Sequence, residues 1–306
     1  MPTAQPIAST PRPACRHFVA LLSGLAVASS LAVCSLAHLQ TVRADETPPT
    51  VRVAGVVLKW IRGDKEANYR RLEPLVRVAA AGGAKIVCTT ECFLDGYAIA
   101  DKSIPLETYR ALGEPIPGGV FFEKLSKLAD ELDVHLVAGM CEADGEARYN
   151  TAVLLGPDGK LVGKYRKQKL QHELVRNTPG NESRVWQTPY GKVGIMICAD
   201  RTEPDIVQGF CARGADFIIC PSGGMFGPKS NDPIVQSRSR ENGVTIVFVH
   251  PAEFLVTDPR GKIVTAELFG DRLLIPPEQV GAEADTSGVR YYDLPLKNST
   301  RSASTQ

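Results

Sequence analysis

The sequence predicts an α/β fold of stacked helix and strand layers, and three features predict it. Short apolar runs rich in β-branched residues alternate with amphipathic stretches over most of the chain. Glycine stops and an Asp-Gly turn separate these runs at the spacing that helices and hairpins require. The 306 residues, 43% hydrophobic and 23% charged, suffice for one large core, and a single domain is expected.

Taken in order, "VRVAGVVL" (Val51 to Leu58) reads as a first strand. From Asp64 to Ala81, Leu72, Leu75, Val76 and Val78 recur among charges, and Gly82-Gly83 end the helix. "AKIVCTT" (Ala84 to Thr90) reads as a buried strand, followed by a helix around Phe121 to Leu132 and a strand at Val134 to Gly139. Two strands meet at "GPDGK" (Gly156 to Lys160), a hairpin signal. "GKVGIMIC" and "ADFIIC" are strands separated by a helix near Ile206 to Ala212, and "VTIVFV" (Val244 to Val249) follows a further helix. Beyond about Pro276 the chain is rich in Gly, Pro and Ser, which predicts a trailing arm, residues 276–306, with a low-complexity end from Asn298.

The amino terminus is different in kind. Arg12 and Arg16 precede a stretch from Phe18 to Leu39 without Asp, Glu, Lys or Arg, and Val42 to Ala44 supplies the small residues of a cleavage site before Asp45 and Glu46. Residues 1–44 are therefore expected to be an export signal, placing the domain at 45–275 in the periplasm or outside the cell. An uncleaved anchor is the alternative, because an apolar run of about 20 residues can span a bilayer. A lipid at Cys34 is disfavoured by the bulk of Val33. Cleavage removes Arg12, Arg16 and Arg43 and no acid, so the 35 basic residues fall to 32 against 34 acidic ones. Such a near-neutral surface, with no basic stripe interleaved with aromatics, argues against nucleic acid as a partner. Six cysteines remain, Cys88, Cys92, Cys141, Cys198, Cys211 and Cys220; their spacings fit no small disulfide framework, and without a CxxC pair no zinc site or other cofactor is expected.

Three residues could carry chemistry together. Cys198 stands at the carboxyl end of the strand "VGIMIC", where α/β folds present reactive groups, and a thiol there needs a base to take its proton. Glu91 ends another apolar strand in "IVCTTECFLDGY", an unusual place for a merely solvated acid. Lys167 lies just after the hairpin, in "LVGKYRKQKL". Taken singly, each has an ordinary structural reading: a buried cysteine, a capping acid, a solvated basic face.

Together, "TTECFLDGY", "YNTAVLLGPDGKLVGKYRKQKL", "GKVGIMICADRTEPDIVQGFCARGADFIICPS" and "SRSRENGVTIVFV" resemble, in the same order, segments of the nitrilase or carbon-nitrogen hydrolase superfamily, from about Val51 to about Glu267. The resemblance implies a four-layer α-β-β-α sandwich and a triad of Glu91 as base, Lys167 as oxyanion stabiliser and Cys198 as nucleophile, with the backbone N–H of Ala199 as second oxyanion donor. Glu173 in "QHELVRN" is a candidate second acid, orienting substrate or the lysine. A homodimer is also implied by resemblance alone. His172 and His250 are the remaining residues of interest, though a lone histidine is more often packed or solvated than catalytic.

Departures from the family pattern bear on substrate. Thr90 replaces the usual proline before the glutamate, and Lys169 stands where histidine is common. Only "HPAEF" joins Val249 to "LVTDPRGKIV", where the family has a longer, glycine-containing loop at the pocket. Ala199-Asp200 replaces the Trp-Glu of true nitrilases, which ranks amide or ureido hydrolysis above nitrile hydrolysis. "ICADRTEPD" is similar to N-carbamoyl amino acid amidohydrolases, in which Arg201 would meet a substrate carboxylate; a surface ion pair is its plain alternative. The expected activity is hydrolysis of a non-peptide carbon-nitrogen bond in a small amide or N-carbamoyl compound. Acyl transfer on the same triad and a catalytically silent ligand-binding protein are the rivals.

Overall fold

The computed structural model describes residues 48–224, 227–270 and 288–297, all within the compact unit Thr47–Gln306. The expected leader, its cleavage site, Cys34 and the low-complexity end lie outside the described residues.

In chain order the elements are β1 (Thr50–Val57), α1 (Lys65–Ala81), β2 (Ile86–Cys88), α2 (Leu106–Ala111), β3 (Glu114–Pro115), α3 (Val120–Leu132), β4 (His135–Asp144), β5 (Ala147–Leu155), β6 (Leu161–Arg166), β7 (Val185–Thr188), β8 (Gly191–Ile195), α4 (Pro204–Ala212), β9 (Phe217–Pro221), α5 (Pro228–Asn242), β10 (Thr245–His250), β11 (Glu253–Thr257), β12 (Ile263–Leu268) and β13 (Gly288–Pro295). One sheet runs β13-β1-β2-β4-β5-β6, with β3 paired to β4, and the second runs β12-β11-β10-β9-β8-β7. The inner strands β1, β2 and β4 are parallel, as are β8, β9 and β10. Parallel neighbours need a crossover, and the helices supply it.

The helices cover the outer faces. Leu72, Val76 and Ala79 of α1 and Leu125, Leu128 and Ala129 of α3 bury one stripe each against Ala54, Val87, Leu136 and Val153 of the first sheet. Val207, Phe210 and Val235 of α4 and α5 join the second sheet, whose apolar residues also meet Val53, Val137 and Leu154 of the first. The result is the α-β-β-α sandwich that the resemblance implies. Where the sheets meet, Gly55 is obligatory: a Cβ built on it would lie 2.4 Å from the ring of Phe254.

Local signals hold closely. Asp64 caps α1, its side chain accepting from Ala67 N at 2.9 Å, and Gly82 ends it. The Asp-Gly turn joins β5 to β6, with Gly156 N donating to Lys160 O at 2.8 Å. The expected trailing arm behaves differently: within it, β13 pairs antiparallel along all of β1, Val51 opposite Leu294 and Val57 opposite Gly288. That pairing covers an edge of the first sheet that would otherwise present unpaired backbone groups. Arg52 fixes it further through Asp293 at 2.8 Å.

Candidate active site

Three strand ends bring the chemistry together. Glu91 follows β2, its N–H donating to Ser222 O at 3.1 Å across the sheets. Lys167 follows β6, held by its own N–H on Asn150 O and by Gly180 N on its carbonyl, both at 2.8 Å. Cys198 follows β8 at φ +46°, a left-handed conformation uncommon for a residue with a Cβ. That strained turn opens the single-turn 3-10 segment Cys198–Thr202.

Side chains from these ends form a buried polar cluster. Lys167 Nζ donates to Glu91 Oε1 at 2.6 Å and to Glu173 Oε1 at 2.5 Å. Asn150 Nδ2 bridges the same two acids, at 2.8 Å to Glu91 Oε1 and 3.0 Å to Glu173 Oε2. Glu91 and Glu173 are 0% exposed and Lys167 2%, so the ion pairs are shielded from solvent. Burial works against the lysine's charge, but the two carboxylates outweigh it and hold its pKa well above the ordinary value. Burial raises Glu173, with Lys167 pulling the other way.

The second oxygen of Glu91, Oε2, is buried without a hydrogen-bond partner. It sits beside Gly223, on which a Cβ would come within 2.9 Å of that oxygen and 2.5 Å of the Trp60 ring. The carbonyl of the same glycine accepts the Cys198 thiol at 3.1 Å. Only the protonated sulfur can donate there, so this is a resting thiol. Its pKa is raised by burial and then by the Glu91 charge, against the pull of Lys167 and Arg201. An unpaired carboxylate oxygen and a thiol thus lie on either side of one glycine.

Asp200 secures the Cys198 turn to the lysine segment. Its Oδ1 accepts from Gln168 N at 3.1 Å and Lys169 N at 2.8 Å; its Oδ2 accepts from Ile197 N at 2.9 Å and the Tyr165 hydroxyl at 2.8 Å. Burial pushes its pKa up to about 6, which leaves it ionised at pH 7 and able to accept all four bonds. Trp60 and Tyr97 stack at 4.9 Å, with His172 edge-on to Tyr97 at 6.2 Å. Thr90, the replacement for proline, takes the Trp60 indole N–H at 3.1 Å.

Each expected site residue can thus be placed. Lys167 contacts both Glu91 and Glu173; Cys198 and Ala199 lie in a separate turn; and Arg201 is buried beside the sulfur. Lys169 instead pairs with Glu203 at 2.7 Å, partly exposed. His250 is packed, accepting Ala252 N on Nδ1, which leaves Nε2–H to donate to Gly224 O at 3.2 Å; burial lowers its pKa to about 4. Asn150, Asp200, Trp60 and Tyr97 are additions. Asn150, Asp200 and Tyr97 lie inside the strings that carried the resemblance, while Trp60 gave no local signal. Among the described residues no group of His, Cys, Asp and Glu could hold a metal ion, and the six cysteines are free.

Residues 52–275 match the family model described as carbon-nitrogen hydrolase. The chain belongs to the carbon-nitrogen hydrolase family. This hydrolase is 32% identical over 250 residues to the omega-amidase NIT2 of Homo sapiens, covering 76% of the chain and 84% of that relative. It is 30% identical over 252 residues to the omega-amidase NIT3 of Saccharomyces cerevisiae, covering 73% and 85%. The solved structure of Saccharomyces cerevisiae Nit3, a member of branch 10 of the nitrilase superfamily, matches with a TM-score of 0.68 at 28% identity, over 82% of this chain and 93% of that one. An amidase from Nesterenkonia sp. AN1 shares the fold, with a TM-score of 0.66 at 21% identity over 80% and 93%.

Proposed function

We propose that this hydrolase cleaves the carbon-nitrogen bond of a small amide through a thioester on Cys198. The supporting observation is the Glu91–Lys167 pair, 76 residues apart in sequence and fully buried, with one oxygen of Glu91 unpaired beside the glycine that holds the thiol. The omega-amidase relatives support an amide as substrate class.

Glu91 Oε2 takes the thiol proton as sulfur bonds to the carbonyl carbon, and the carbonyl pair moves onto oxygen. Lys167 Nζ and the Ala199 N–H receive that oxyanion; a donor of this kind is worth about 3 to 4 kcal/mol of barrier. The tetrahedral adduct collapses, breaking the C–N bond, and ammonia leaves with the proton from Glu91. Water then gives Glu91 a proton as it attacks the thioester. The C–S bond breaks, the acid departs, and the proton returns to sulfur. Glu173 and Asn150 keep Lys167 and Glu91 in register throughout.

N-carbamoyl amino acids are the second substrate class, supported by the similarity of "ICADRTEPD" to their hydrolases. The leader sequence supports a periplasmic or extracellular site of action. The test is ammonia release from a panel of small amides, N-carbamoyl amino acids and nitriles, repeated with Cys198→Ala, Glu91→Gln and Lys167→Ala. Amides are expected to turn over best, with each variant reduced by at least about a hundredfold. A Cys198→Ala protein as active as the parent ends the proposal.

A further inference from the structure

Arg201, expected to meet a substrate carboxylate or to pair at the surface, is buried against the Cys198 sulfur. Its guanidinium is 2% exposed, and Nη1 stands 3.5 Å from the Cys198 sulfur. Nη2 donates to Asn231 Oδ1 of α5 at 2.6 Å, and the guanidinium carbon lies 5.5 Å above the Phe248 ring of β10. Three contacts on three elements hold one charged plane against the nucleophile. Such pinning fixes a guanidinium's direction at little entropic cost, because the fork is already planar.

The charges around the sulfur show what this does. Glu91 and Glu173 bring two carboxylates and Lys167 one ammonium, so without Arg201 the buried cluster carries an excess negative charge, which opposes a thiolate. Arg201 brings the cations to two, beside these two acids and Asp200, whose carboxylate is taken up by four donors. Passing the thiol proton to Glu91 then leaves the sulfur's new charge facing Lys167 and Arg201. On the far side of Arg201, Glu253 at the start of β11 faces Asp232 and Asn231 with neither carboxyl oxygen closing a hydrogen bond of normal geometry. Burial, and then the Asp232 charge, push Glu253 up to about 8, toward its neutral form. The other titratable groups near the sulfur, Tyr97 and Cys220, are held protonated by burial, Cys220 with a pKa of about 12.

We propose that Arg201 is a second cation on the nucleophile, holding Cys198 Sγ as thiolate once Glu91 has its proton, with Asn231 as the positioning residue that aims it. This rests on Cys198 being the nucleophile, and its test reads the sulfur directly, without turnover. The full chain is labelled with iodoacetamide across a pH series, and modification of the Cys198 peptide is followed by mass spectrometry. An opposite charge this close lowers a pKa by about 1 to 3 units. Arg201→Gln is therefore expected to label about tenfold or more slowly at a fixed pH below the midpoint. Arg201→Lys, which keeps the charge, should lie between, and Asn231→Ala should shift the same way by less. On an uncharged amide, kcat should fall in step with labelling.

Unchanged labelling in Arg201→Gln overturns the proposal. So does a rise in KM confined to carboxylate-bearing amides, which makes Arg201 a substrate contact. If Arg201→Gln does not fold, Asn231→Ala decides by the same readout, and parental labelling there overturns it. Loss of amide turnover across the whole panel with these labelling shifts intact would refute the substrate class alone.

Discussion

Replacing Asp200 by Asn tests whether the nucleophile turn and the lysine segment are fastened to each other by one carboxylate. Asn is nearly isosteric, so packing is preserved while the acceptor set changes. With its oxygen placed as Oδ1, the Gln168 and Lys169 N–H bonds survive without charge assistance. The amide nitrogen then replaces Oδ2 and meets the Ile197 N–H donor to donor; the Tyr165 hydroxyl would have to turn round, although it already accepts from Gln168 Nε2 at 3.1 Å. An orphaned buried N–H costs about 1 to 3 kcal/mol, and each bond losing its charge gives up about 0.5 to 1 kcal/mol more. The expected destabilisation is about 2 to 5 kcal/mol, a fall of about 10 °C in Tm for a domain of this size. Gln168 and Lys169 adjoin Lys167, and Ile197 precedes Cys198, so kcat/KM should fall with stability. Thermal melts at pH 7.5 and ammonia-release kinetics on the same preparation measure both. An Asp200→Asn protein melting within about 2 °C of the parent at full activity would refute the fastening role.

Other outcomes follow from single residues. Gly223→Ala places a Cβ 2.5 Å from the Trp60 ring and 2.9 Å from Glu91 Oε2, so kcat should fall by about a hundredfold, the cost of a small misplacement at a reacting group, while the protein still folds. Glu253 has a folded pKa of about 8 against an ordinary 4.5, so the folded state holds a proton that the unfolded state has lost. Its contribution to stability falls as pH rises between those values; Glu253→Gln should flatten that decline in melts from pH 5 to 9, and an unaltered slope would contradict the assignment. His250 is shifted the opposite way, to about 4 from 6.5, so the parent should lose stability as pH falls through that window and His250→Gln should lose less. The full chain expressed in a host with a secretion pathway is expected to give an intact mass that begins at Asp45; a mass retaining residues 1–44 would favour an anchor.

Much of this architecture was legible because local rules and tertiary structure agree. Asp64 and Gly82 cap α1 where the pattern of Leu72 and Val76 ends, and the Asp-Gly turn lies between β5 and β6. The strand ends at Glu91 and Cys198 could be found from apolar runs that stop on a functional group. β13 was missed because its alternation is weak, with Tyr291 exposed and Leu294 buried inside a stretch of turn-forming composition; its order comes from pairing with β1, a long-range contact that composition does not report. The placement of Arg201 was hidden for a related reason. Following an aspartate after a strand, it reads as a surface or substrate-facing residue, and only its contacts with Asn231 and Phe248, from segments 30 and 47 positions away, turn it onto the sulfur. Asn150 shows the reverse: it lay within the strings that carried the resemblance, yet only the geometry reveals that one amide bridges both acids.

The most direct measurement of the central claim is the mass of the Cys198 peptide after rapid acid quench of the hydrolase turning over a small amide. The expected result is an added acyl group on that peptide during turnover, lost when substrate is exhausted, with neither adduct nor ammonia from Cys198→Ala. Steady ammonia release from Cys198→Ala at the parental rate would contradict the account.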